Sequence, residues 1–385
     1  MQSHDAPRFA PTALMLGNVV TGCSVLAPTG MLSELSSGLD VSISTAGLLT
    51  TFGAMMLCVG SPVTAWLTSR IERRTLLTVT VAVLALANFA SAFAPDYASL
   101  LIVRLVMLAV GALYTPQAAG AAALIVPVQK RGSAIAYVFL GWSLAIAISL
   151  PLITFVASRY GWRTAYGGIG AIGCVSSLLL AWRLPGGLIG VPVDLKMWIE
   201  IGRSRMILLL LLITTLQMSG QFVVLTFMGP LLTKLAGAGP DAIGLVFLCY
   251  GVCGFIGIVI ATRIVDSWGA WRTSALATAL MLAGLTGWAL GAGSYPLMVA
   301  AVALWGLGFA STNSMQQVRL IGAAPALASA SVSLNSSVLY VGQAVGSAIG
   351  GWLYARDLLH TSGYVGAGFV ALALTMVIVN KPKTL

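Results

Sequence analysis

The chain has 385 residues, of which 58% are hydrophobic and 8% charged, with a formal net charge of +10. Its mean hydropathy of +0.97 excludes a soluble globular domain and makes lipid the solvent for most of the surface. The basic residues are dispersed in short turns between apolar runs, which reads as a topology signal and not as a nucleic-acid surface.

A bilayer core of roughly 30 Å needs about 20 apolar residues per helix. Twelve such spans are predicted, at 10–32, 45–68, 75–94, 98–125, 134–157, 164–183, 206–232, 241–263, 273–292, 296–319, 328–354 and 364–380. The runs are continuous and rich in Leu, Ala and Gly, unlike the alternating segments of about ten residues that build a barrel. Residues 1–9 form a short polar leader with Asp5 and Arg8 and no convincing cleavage site, so the first run reads as a retained helix. Between the second and third runs lies a basic turn at 61–74 (SPVTAWLTSRIERR), and a counterpart follows the eighth run at 261–272 (ATRIVDSWGAWR). Arg74 and Arg272 are 198 residues apart, close to half the chain, and Gly30 and Gly47 map near Gly229 and Gly244 at almost the same offset. A duplicated unit of this kind places a substrate path between its two copies.

The only sizeable polar linker falls at 184–205, so the expected division is a first six-helix bundle at 1–183, the linker, and a second bundle at 206–385. Within it Asp194 could cap a short helix with Leu195, Trp198 and Ile199 on one face, lying at the membrane surface, or the segment is simply solvated. The fold class is an all-α integral membrane protein of twelve transmembrane helices in two pseudo-symmetric bundles. With the N-terminus inside, 15 basic residues fall in inner segments and only Arg159, Arg163, Lys234 and Arg356 in outer loops, which places both termini in the cytoplasm.

Arg104 is the one basic residue well inside a predicted span, where an unpaired charge costs about 2.5 to 3.5 kcal/mol. It reads as an anchor for anionic or carbonyl groups of a solute, as a charge relay toward protonation sites, or as a staple on helix carbonyls. No carboxylate lies at mid-membrane; Glu34, near the end of the first span, is the peripheral candidate for coupling, with an exposed loop charge as the alternative. Neutral polar groups are more numerous. Gln217 and Gln221 in the seventh span share a face with Thr214; Asn18, Gln117, Asn313 and Asn335 add amides in the first, fourth, tenth and eleventh. Interhelical bonding, near 0.6 kcal/mol per contact, is the competing role for each. Trp142, Tyr137 and Tyr114 could stack on solute rings or serve in packing. Gly342, Gly346 and Gly350 repeat every four residues, a ridge for close approach of another helix.

Other chemistry is poorly supplied. Cys23, Cys58, Cys174, Cys249 and Cys253 all fall in predicted spans, and the Cys249/Cys253 pair has no third ligand, so neither disulfides nor a metal is expected, and no cofactor. His4 and His360 are the only histidines, and neither H-E-x-x-H nor G-x-S-x-G occurs, which argues against a membrane enzyme. The absence of G-x-x-x-x-G-K-[ST] leaves ATP-driven pumping to a separate subunit. A non-transporting receptor or scaffold would not need inward amides in both halves.

Residues 30–35 (GMLSEL), 46–49 (AGLL), 69–74, Arg104, Pro151 and the segment 334–337 (LNSS) with its glycines resemble the major facilitator superfamily, in its twelve-span drug:proton antiporter branch and near arabinose efflux permeases. The resemblance covers nearly the whole chain. It implies the major facilitator fold, a bacterial inner (plasma) membrane, a monomer, and export of a small polar or amphipathic solute against proton entry. It further implies a cavity lined by spans 1, 4, 7 and 10, hence by Asn18, Gln117, Gln217, Gln221 and Asn313, and gating by Arg70, Arg73, Arg74, Asp266 and Arg272 in the paired turns. Departures weaken the antiporter features: Ser69 and Glu72 stand where the family has an acidic residue and a glycine, and the span 5 motif around Pro151 lacks its flanking glycines. Facilitated diffusion or import is the alternative mode of transport.

Overall fold

The computed structural model of the chain describes residues 9–68, 70–127, 131–189, 200–324 and 327–381. The predicted linker helix at Asp194, Leu195, Trp198 and Ile199 lies outside these residues, as do His4, Asp5, Arg8, Ser69, Lys130, Lys196 and Lys383. No strand occurs among the described residues. Spans 1 to 4 are Ala10–Gly30, Ile43–Leu67, Arg73–Ala92, and Tyr97–Gly111 continued by Tyr114–Leu124. Span 5 runs through Arg131–Leu144, Ala145–Ser149 and Leu150–Tyr160, and span 6 is Trp162–Arg183. Span 7 is Arg205–Leu225, spans 8 and 9 lie within Pro240–Leu290, and spans 10 to 12 are Tyr295–Ala323, Ala328–Ala355 and Thr361–Val379.

Local chemistry sets these boundaries. Pro240 sits at the start of span 8, where its missing N–H has no partner to lose. Asp96 caps span 4 by accepting from the Ser99 N–H at 2.8 Å, and Ser204 caps span 7 through the Ile207 N–H at 3.4 Å. Pro151 cannot donate to the helix ladder, and the turn that precedes it, Ala145–Ser149, widens to π geometry. Spans 8 and 9 follow one another within Pro240–Leu290 and are separated by a kink at Gly269, whose φ of 80 and ψ of 154 suit glycine. In the first copy Glu72 has φ −58 and ψ 130, ordinary extended backbone, so replacement of the family's glycine there brings no strain.

Two predicted spans end earlier than expected. Span 1 stops at Gly30 and a separate helix, Leu32–Gly38, follows; span 7 stops at Leu225 and Met228–Ala236 follows. Met31 (ψ 35) and Phe227 (ψ 12) leave helical geometry at the two breaks, which hydropathy cannot register because the flanking residues remain apolar.

Twelve spans put Ala10 and Val379 on one side of the bundle, here the terminal face; the connection from Gly30 to Ile43 lies on the opposite face. Packing differs between the two. Near the opposite face a single apolar core joins both halves, with Leu49 and Ile153 from the first six spans and Phe227, Phe247 and Trp305 from the last six. Toward the terminal face it divides. Leu14, Leu77, Met107 and Val138 belong to a core centred on the first half, whereas Ile207, Leu320 and Val377 belong to one in the second.

Candidate solute site between the halves

The seams that close the opposite face are built from glycine and small polar groups. Between spans 2 and 11, Thr51 and Ser347 hydroxyls are 2.8 Å apart. Phe227 fills the space beside them: a Cβ on Gly47 would lie 2.4 Å from its ring, and the ring stacks on Tyr354 with centroids 5.7 Å apart. Between spans 5 and 8, a Cβ on Gly251 would lie 2.2 Å from the Ala147 Cα. At the rim Arg159 pairs with Asp241 at 3.3 Å across the halves, but both side chains are largely exposed, so the pair adds little.

Where the shared core gives way to two, each half carries a chain of neutral hydrogen bonds. In the first half, the Asn18 amide donates to the Val138 carbonyl at 2.9 Å and accepts from the Thr115 hydroxyl at 2.7 Å, and Trp142 Nε1 donates to the same hydroxyl at 3.2 Å. Spans 1, 4 and 5 are thereby tied. In the second, the Thr214 hydroxyl donates to Asn335 Oδ1 at 2.8 Å, and Asn335 Nδ2 donates to Asn313 Oδ1 at 3.1 Å, tying spans 7, 11 and 10. Thr115 and Asn313 stand at the 198-residue offset, so the two chains pass through corresponding positions of spans 4 and 10. Asn18 and Asn335 are fully buried and satisfied within their chains. Asn313 is half-buried, and Gln117 is 9% exposed. Neither the Asn313 amide nitrogen nor the Gln117 amide is bonded among the described residues.

Gln217 and Gln221, expected among the cavity-lining amides, are bonded inside the second half. Gln217 Nε2 donates to Thr278 Oγ1 at 2.8 Å, and Gln221 Oε1 accepts from the Tyr250 hydroxyl at 3.0 Å; both glutamines have 0% exposure. Their shared face is turned toward spans 8 and 9 inside the second half, a direction that spacing alone does not specify. Arg104 is 1% exposed, and its Nε, Nη1 and Nη2 donate to the carbonyls of Leu49, Ser24 and Val25 at 2.8, 2.9 and 2.7 Å. In this arrangement it staples spans 1, 2 and 4 and offers no open nitrogen to a solute. Tyr114 is also enclosed, donating to the Leu14 carbonyl at 3.0 Å.

Glu34 lies on Leu32–Gly38, half-buried, and burial raises its carboxyl above the ordinary carboxylate range. In the terminal-face turns, the Thr75 hydroxyl and the Gly187 N–H hold the Glu72 carboxyl below that range. Arg74 donates to the Ala181 carbonyl, the Arg73 backbone N–H donates to the Leu188 carbonyl at 2.8 Å, and Arg70 is exposed. These contacts tie the first turn to the end of span 6. Asp266 and Arg272 are exposed, and the ion pairs among the described residues are Arg159–Asp241 and Lys234–Asp357, both at the opposite face. The expected gating charges therefore form no ion pair across the halves here. Cβ atoms on Gly342, Gly346 and Gly350 would fall 2.5, 2.3 and 2.4 Å from the carbonyls of Thr215, Ser219 and Val223, so this ridge seats span 11 on span 7.

Thr115 and Phe227 are the residues that sequence reasoning missed. Applying the 198-residue offset to Asn313 points to Thr115; no comparable signal marks Phe227.

Two six-helix halves that share one core near one face and have separate cores toward the other, with hydrogen-bonding groups at the division, have the architecture of a membrane transporter. The Major Facilitator Superfamily profile matches residues 14–332 and 210–384, and the chain belongs to that family. It is 28% identical over 378 residues to the inner membrane transport protein YdhP of Escherichia coli, covering 97% of this chain and 96% of that one. It is 25% identical to a probable sugar efflux transporter of Mannheimia succiniciproducens, covering 95% and 92%. Among solved structures it resembles a bacterial homologue of the human lysosomal transporter Spinster, inward-facing and occupied, with a TM-score of 0.73, 15% identity and coverage of 98% and 97%. The nucleoside transporter NupG gives the same TM-score at 12% identity, with 96% and 99% covered.

Proposed function

We propose that this transporter exports a small neutral polar or amphipathic solute, with sugars as the first class to test, by rocking its halves about the division of the core. The carrying observation is that one apolar core holds both halves near the opposite face while separate cores hold them near the terminal face. The relative named as a sugar efflux transporter supports the direction and the solute class. In this reading residues 1–183 and 206–385 are the moving bundles, 184–205 links them, and the terminal face is cytoplasmic. The Asn313 and Gln117 amides meet the solute, Asn18 and Asn335 orient the polar chains beside them, and the protein works as a monomer in the bacterial inner membrane. Neutral donors and acceptors suit hydroxylated solutes, because an analogue lacking a hydroxyl leaves a buried amide unpaired.

Proton entry through Glu34 is the coupling route in this reading. A second reading, facilitated diffusion, is favoured by the position of the acidic side chains, none of which lies deep within a span among the described residues. Efflux of labelled sugars from proteoliposomes, with and without an imposed pH gradient, tests both. Saturable efflux is expected, reduced at least severalfold by Asn313→Ala with Gln117→Ala while thermal stability holds. Sugar-independent leakage alone, or efflux indifferent to both amides, would defeat the assignment. Reporter fusions after residue 383 and within 357–360 should fall on opposite sides of the membrane, with the former cytoplasmic.

A further inference from the structure

We propose that the seam between spans 2 and 11 carries a groove for the acyl chain of a bilayer lipid. Beside the Thr51–Ser347 contact lies a cavity of about 390 Å³, bounded by Met55, Cys58 and Val59 on span 2 and by Ala344, Val345 and Ala348 on span 11. The spacings i, i+3, i+4 and i, i+1, i+4 put each set on one helix face. Every one of these side chains ends in carbon or sulfur. Water entering such a space would find no hydrogen-bonding side chain, so the groove favours hydrocarbon over water.

The occupant follows from where the groove opens. Met55, Val59 and Val345 are 48%, 62% and 40% exposed, so the cavity opens on the flank of the bundle that meets lipid tails. Its volume is toward the small end of the range for small-ligand pockets, enough for a segment of one chain and too little for a headgroup, for which no charged or polar side chain is present. Met55, unbranched and polarisable, adapts to a flexible chain. The groove lies between the moving halves.

The test uses the full chain in vesicles of phosphatidylethanolamine and phosphatidylglycerol, with a small fraction of phosphatidylethanolamine carrying a diazirine at mid-chain. After irradiation, adducts are mapped by peptide mass spectrometry. Met55, Cys58 and Val345 are expected to be labelled severalfold more than Ile172, Val175 and Leu178, which are exposed on the flank of span 6. Ala344→Leu with Ala348→Leu should erase that excess and leave the span 6 labelling unchanged. Labelling of the wild-type groove at or below the span 6 level overturns the proposal whether or not the double variant folds. So does preferential labelling by a water-soluble diazirine alkyl glycoside in place of the lipid probe, which would assign the groove to a solute tail. The measurement needs no flux, so it stands apart from the transport reading.

Discussion

Gly251 and Gly257 stand on the same helix, with nearly the same clearance and different neighbours. A Cβ on Gly251 would lie 2.2 Å from the Ala147 Cα in the first half, and one on Gly257 would lie 2.0 Å from the Leu307 carbonyl oxygen in its own half. Overpacking typically costs about 1 to 3 kcal/mol. At Gly251 the clash is relieved if the halves part on that side, so Gly251→Val should shift the conformational equilibrium by roughly 5- to 150-fold, at about 1.4 kcal/mol per tenfold. At Gly257 no such motion helps, and Gly257→Val should lose stability. Spin labels at Leu124 and Ile321, both exposed near the terminal-face ends of spans 4 and 10, report the spacing there in a variant with the native cysteines replaced. The Gly251 variant should shorten that distance at nearly unchanged unfolding temperature; the Gly257 variant should keep it and unfold earlier. If the Gly251 variant unfolds as early as the Gly257 variant and its distance distribution does not move, the seam between spans 5 and 8 is a fixed interface and the rocking argument is wrong.

Gln217→Leu with Gln221→Leu should lower thermal stability by about 1 kcal/mol in total, from near 0.6 per interhelical contact, and leave efflux per folded molecule within twofold; a collapse of efflux in a stable double variant would return both amides to the solute path. Arg104→Ala removes three bonds to carbonyls on spans 1 and 2 and should destabilise by several kcal/mol, each charge-assisted bond contributing about 1.5 to 3. Arg104→Lys should recover only part of that, because an ammonium lacks the planar fork, and full recovery of unfolding temperature and efflux would show that a point charge suffices. Burial raises the Glu34 pKa, so folding favours its protonated form: this group's contribution to stability is lost as pH rises through the folded-state pKa and restored as pH falls through it. Glu34→Gln should remove that dependence together with any gradient-driven part of efflux while sparing downhill exchange, and concentrative efflux that survives the change would exclude the Glu34 route.

The twelve spans were legible because hydropathy over about 20 residues is a strong signal, and the duplication because the turns at 61–74 and 261–272 kept their spacing. What faced what was less legible. Gln217 and Gln221 share a helix face by periodicity, but every face of span 7 is apolar enough to meet a neighbour, so nothing local told the cavity side from the side facing Thr278 and Tyr250. Asn313 and Asn335 were identified as polar groups in adjacent spans, yet their bond to each other depends on a helix crossing set by the Gly342, Gly346 and Gly350 ridge. The breaks at Met31 and Phe227 left no mark on hydropathy because they replace one apolar helix with two.

The electrostatics of the halves bear on how transport is energised. Arg104 is the charge enclosed deep in the first half, and the carbonyls that hold it belong to spans 1 and 2 of that same half. If the bundles rock as rigid bodies, as proposed, those bonds stay intact and the guanidinium moves only with its own half. The field does work only on charge that moves through it, about 2.3 kcal/mol per elementary charge per 100 mV for full crossing. The seams meanwhile exchange glycine, aromatic and hydroxyl contacts, and the ion pair that joins the halves, Arg159–Asp241, sits at the exposed rim. With a neutral solute, therefore, the described part of the cycle offers the membrane potential little to act upon. Under the proposed coupling, a pH gradient acting through Glu34 is the driving force such a distribution of charge would use, and under facilitated diffusion it would be the solute's own gradient.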